Sequence, residues 1–88
     1  MTVTDIMYDE TEVTATRFVG FTGEYGRFDL AIVTTNHFFG KRFVISIQSG
    51  RSAILTAEEA EDADYIASAF QVSEQDAAEL ATFLASNL

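Results

Sequence analysis

Two runs decide the fold: Phe28-Asp29-Leu30-Ala31-Ile32-Val33-Thr34 and Phe43-Val44-Ile45-Ser46-Ile47-Gln48. In the first, Phe28, Leu30 and Ile32 alternate onto one face; in the second, Phe43, Ile45 and Ile47 do so. A period of two is the signature of a strand, because successive side chains leave it on opposite sides. Upstream, Val13–Phe21 is rich in β-branched and aromatic residues and reads as a strand. Gly23 and Gly26 suit a hairpin turn between it and the next strand. Asn36-His37-Phe38-Phe39-Gly40 reads as a longer loop. Ser49-Gly50 supplies another turn, after which Ala53-Ile54-Leu55 pairs back as a short strand. Connections this short imply an antiparallel meander.

The last third changes period. Thr56-Ala57-Glu58-Glu59 and Ser73-Glu74-Gln75-Asp76 each set a hydroxyl three residues before an acid, the layout of a helix start. Tyr65, Ile66, Ala69 and Phe70 have helical spacing, which predicts a helix over roughly 60–70. Ala77, Leu80, Ala81 and Leu84 recur at i, i+3, i+4 and i+7, which predicts a second. Strands with an apolar face and helices with an apolar stripe must cover each other. The fold expected is therefore α+β in two layers: an antiparallel β-meander of three to four strands, then two C-terminal helices packed on one face. Eighty-eight residues make one small domain, 1–88.

Charge and cysteine content exclude several functions. Five Lys and Arg against 14 Asp and Glu leave −9. Nucleic-acid affinity comes largely from neutralising phosphates, so nucleic acid is not an expected partner; anionic membrane surface is disfavoured likewise. The charge is also segregated: −4 over residues 1–16, +3 over 17–51 and −8 over 52–88. The absence of cysteine removes disulfides, thiol nucleophiles and thiolate metal sites, and fits a reducing compartment. The first twenty residues carry four acids and no apolar run, unlike a signal peptide. No stretch approaches the ~18 apolar residues of a membrane span. A cytoplasmic protein is expected.

The motifs offer little chemistry. His37 is the only histidine and reads as a loop residue beside Phe38 and Phe39. No serine stands in a Gly-x-Ser-x-Gly setting. Gly20, Gly23 and Gly26 recur every three residues, but a strand follows them where a dinucleotide fingerprint needs a helix. Glu58, Glu59, Glu61, Asp62 and Asp64 lack the glycine of a calcium loop and read as a solvated helix face. No catalytic residue, metal or cofactor is expected.

Taken in order, Thr16-Arg17-Phe18-Val19, Gly23-Glu24, Arg27-Phe28-Asp29-Leu30-Ala31-Ile32, Phe39-Gly40-Lys41 and Gln48-Ser49 with Arg51 resemble a family of short cytosolic proteins from Gram-positive bacteria, catalogued as a domain of unknown function. The likeness runs from about Tyr8 to Leu84. It implies a bacterial cytosolic protein and carries no activity or site residues with it.

The apolar balance says most about function. The other face of the second strand holds Asp29, Ala31, Val33 and Thr35, with one charge; that of the third offers Val44 with Ser46 and Gln48. Phe18 and Phe21 fall on opposite faces of the first strand. A sheet covered on one side alone shows a cleaner alternation, and eight phenylalanines are many to hide under two short helices. The reading is a non-enzymatic protein-interaction module, homodimeric or bound to another protein, whose surface comprises Ala31, Val33, Val44, Phe38 and Phe39. The alternative is a small-molecule anion or nucleotide binder, or modest enzyme, using His37, Lys41 and Arg42.

Overall fold

The alternating runs form strands, and the computed structural model, which describes residues 5–88, places four of them in one sheet. Residues 1–4, which open the stretch read for a leader, lie outside the described residues. The elements are β1 (Ala15–Thr22), β2 (Arg27–Thr34), a 3-10 turn (Asn36–Phe38), β3 (Arg42–Ser46), β4 (Ser52–Leu55), α1 (Ala57–Ala60), α2 (Ala63–Phe70) and α3 (Glu74–Asn87). The sheet order is β1-β2-β3-β4, every pair antiparallel. The α+β meander with helices on one face is the architecture the periodicities imply.

Pairing register decides which side chains are buried, because residues opposite one another in a ladder share a face. Arg17, Ile32, Val44 and Ala53 form one row across the sheet; Val19, Leu30 and Ser46 form the next. With Phe28 and Leu55 these rows meet Ile66, Phe70, Ala77, Leu80, Ala81 and Leu84 from the helices. At one end Phe21 stacks between Phe28 and Phe83, with ring centroids 5.0 and 4.2 Å away.

The helical layer has three helices where two were expected. Thr56 opens α1 with a reciprocal cap: its hydroxyl accepts from the Glu59 amide at 3.1 Å, and the Glu59 carboxylate accepts from the Thr56 amide at 3.0 Å. After one turn Asp62 leaves helical geometry, and its carboxylate accepts from the amides of Asp64 and Tyr65, each at 3.1 Å. A short acceptor side chain here competes with the helix and restarts it, so the helix expected over roughly 60–70 is α2, and the one-turn α1 before it is the additional helix. Gln71, left-handed at φ 56°, ends α2, and Ser73 caps α3.

The β1–β2 hairpin is tied to α3. Gly23 N–H donates to Gly26 C=O at 2.7 Å and closes the turn. Glu79 Oε1 then accepts from the amides of Glu24 at 2.7 Å and Tyr25 at 3.3 Å. A Cβ on Gly23 would overlap the Glu79 carboxylate, so this glycine is needed for close approach. Gly23→Ala is expected to swing Glu79 away and lower stability by about 1 kcal/mol. In chemical denaturation, Gly23→Ala in a Glu79→Ala background should cost clearly less than in the native chain.

Candidate functional site

The side of the sheet turned away from the helices is apolar. Its rows are Phe18, Ala31, Ile45 and Ser52, and Thr16, Val33, Phe43 and Ile54. Phe18 is 77% exposed and Ile54 37%; Val33, Phe43 and Ile45 are partly exposed. Ala31 is buried, its methyl low between its larger partners Phe18 and Ile45. The helices pack on the opposite side, so no helix or strand among the described residues covers these rows. The polar end of the face closes on itself. Arg27 pairs with Asp29 at 3.1 Å, and the Gln48 amide donates to Asp29 Oδ2 at 3.1 Å and to Arg27 C=O at 3.0 Å. The face therefore carries no net charge.

One expected member does not belong to it. Val44 is opposite Ile32 and fully buried against the helices. Phe43 and Ile45, expected on the core side, stand on the open side. Both faces of β3 have apolar residues, so its own period fixes the alternation and leaves the phase open; the connection through residues 35–41 sets that phase. The open face is richer in large side chains than the sequence reading assigned to it.

Phe38 and Phe39 flank this surface differently. Phe38 meets Phe43 edge-on, with ring centroids 6.0 Å apart at 63°. Phe39 is 100% exposed and left-handed at φ 52°, ahead of Gly40 at φ 87°. A bulky residue in that region is strained, and no packing offsets the strain at Phe39.

The cationic residues beside this loop do not converge. Both ring nitrogens of His37 face carboxylates: Nε2 is 3.1 Å from Glu10 Oε2, and Nδ1 contacts Glu12 Oε1. Lys41 Nζ is 3.1 Å from Glu59, and Arg42 donates to Gly40 C=O at 3.0 Å. Glu10 and then Glu12, by hydrogen bonding, hold the imidazole above its ordinary range. The Thr35 hydroxyl and then the Asn36 amide hold Glu12 below the usual carboxylate range. The Thr56 amide and then Lys41 do the same for Glu59. Sequence reasoning missed Glu10 and Glu12, although side chains two apart in an extended segment face the same way.

The helical acids are structural in part, since Glu59 and Asp62 cap helices. Among the described residues no three His, Cys, Asp or Glu side chains gather as a metal-ligand set. None of the described helices is long and apolar enough to cross a membrane. A shallow crevice of about 500 Å³ lies between the hairpin and α3, lined by Phe21, Glu24, Glu79 and Phe83 among others, and the Glu79 Oε1 in its wall is engaged by the hairpin amides.

Comparison with known families brings a match over residues 7–86 to the SAV0927-like family. The chain belongs to that family, an uncharacterised one, in line with the resemblance of the ordered motifs. No curated protein matches the chain.

The two sides of the sheet should respond oppositely to charge. Val44→Asp places an unpaired carboxylate in the core and is expected to abolish the cooperative melt followed by circular dichroism. Phe18→Asp should change stability by no more than about 1 kcal/mol.

Proposed function

We propose that this protein is a non-enzymatic interaction module that pairs with a second copy of itself, open sheet face against open sheet face. The observation that carries the reading is the pair of uncovered rows whose exposed or partly exposed apolar members are Phe18, Val33, Phe43, Ile45 and Ile54, with Ala31 buried low between them. Strand spacing and rise give these rows a footprint of roughly 300 Å², at the lower end of the largest apolar patches that single-chain proteins expose, which are often functional. Facing sheets pack about 10 Å apart with interdigitated side chains, which suits rows mixing large and small residues.

Charge favours a second copy as the occupant. Residues 52–88, which form β4 and the helical layer, carry −8, whereas the open face carries only the internally paired Arg27 and Asp29. Joining two copies by their open faces turns both acidic helical layers outward. A basic partner would be drawn to the helices instead. The strained, fully exposed Phe39 fits a surface shaped for contact rather than for the stability of the isolated chain. Its lack of cysteine fits action in the cytoplasm.

Binding of a small anion or nucleotide at His37, Lys41 and Arg42 has less support. An anion there would have to displace Glu10 and Glu12 from His37 and Glu59 from Lys41.

Sedimentation velocity tests the proposal. The native chain is expected to dimerise at micromolar concentration, more strongly as salt rises, because two anionic chains repel at long range. Phe18→Glu combined with Ile54→Glu should be monomeric with an unchanged far-ultraviolet spectrum. Phe39→Gly should weaken the dimer yet stabilise the monomer by about 1 kcal/mol, since glycine relieves the left-handed strain. A native chain that stays monomeric at about 100 µM, at low and high salt, would overturn the reading.

A further inference from the structure

Residues 5–14 precede β1 without joining a helix or strand, and Ile6, Met7, Tyr8 and Val13 are exposed. Among the described residues, the polar contacts that fix this segment come from two side chains. Glu12 Oε2 accepts from the Thr35 hydroxyl at 2.7 Å and from the Asn36 amide at 3.0 Å, while Oε1 contacts His37 Nδ1. Among the described residues Glu10 has one partner, His37 Nε2 at 3.1 Å.

This arrangement demands a particular form of the imidazole. A carboxylate only accepts hydrogen bonds, and a neutral imidazole carries one N–H and one lone pair. With both ring nitrogens against carboxylates, either neutral tautomer sets a lone pair against an anion. Only the imidazolium, with two N–H groups, satisfies Glu10 and Glu12 together. The two carboxylates do not depend on it equally. A neutral ring keeps one N–H, the closer Nδ1–Glu12 contact holds it on that side, and the Nε2 lone pair is then set against Glu10, whereas Glu12 keeps Thr35 and Asn36 as well.

We infer that His37 is a proton-operated latch for residues 5–10: charged, it clamps them through Glu10 onto the 3-10 turn; neutral, it frees them while Glu12 stays anchored. The charged groups facing the ring are Glu10 and Glu12, both from the segment, and its other neighbours are Thr35 and Phe38 of its own turn. The direction follows from their effect. The imidazole is raised above 6.5, so the clamp is complete below that value and is lost as pH rises through the raised one. Glu12, lowered, stays ionised across this window. The freed residues include Ile6, Met7 and Tyr8. The latch stands independently of self-association.

Nuclear magnetic resonance on the full chain tests it between about pH 5.5 and 9. The ring-nitrogen shifts of His37 should report two N–H groups at the acid end and a midpoint above 6.5. Backbone order parameters of residues 6–10 should be lower at the alkaline end than at the acid end and change through the same midpoint, while those of 12–14 and of the sheet hold. His37→Gln should leave residues 6–10 mobile throughout, and Glu10→Gln should lower the His37 midpoint; unchanged sheet resonances certify the fold of each. Order in residues 6–10 that is equal at both ends of the range, or a His37 midpoint at or below 6.5, would overturn the latch.

Discussion

Burial of one side of a four-strand sheet under three short helices is the constraint on which everything else rests. Phe28, Leu30, Ile32, Val44 and Leu55 lie against Ile66, Phe70, Leu80 and Leu84, and this contact holds the two layers together. Apolar burial contributes about 25 cal/mol per Å², so a small domain needs most of its large side chains in one place. The helices fill that side and leave none for the other. The chain has more large apolar residues than one such interface can take, and the surplus stands on the outer rows.

Local rules gave the elements, and register gave their meaning. Alternation in β2, the glycines of the hairpin and the stripe of α3 were legible, because strand and helix periods are properties of neighbouring residues. Ladder edges moved by a residue or two: Ile47 and Gln48 leave β3, and Gln48 turns back to the Arg27–Asp29 pair. Val44 was assigned to the wrong face because phase depends on the geometry of the preceding connection. The division of α1 from α2 came from Asp62, which in sequence is one acid among five. The His37 cluster was hidden for a related reason, since Glu10 and Glu12 reach their partner only through the path of a segment with no periodic signal.

Charge layout connects these parts. The basic middle of the chain compensates the acidic helices less than the sequence suggests, for among the described residues Lys41 with Glu59 is the one ion pair between them. Exposed pairs of this kind add little to stability. The helical layer consequently remains strongly anionic and the outer sheet face neutral, an asymmetry on which the proposed self-association rests. The strain at Phe39 has the same sense: its cost falls on the isolated chain, and its exposed ring stands beside the surface left uncovered.

The central claim is that the outer sheet rows meet the same rows of another copy. Isotope-filtered nuclear Overhauser spectroscopy on a mixture of labelled and unlabelled chains tests it most directly. The account expects intermolecular contacts among Phe18, Val33, Phe43, Ile45 and Ile54 and none from α3. Intermolecular contacts confined to the helices, or none at concentrations where the outer rows would be saturated, would contradict it.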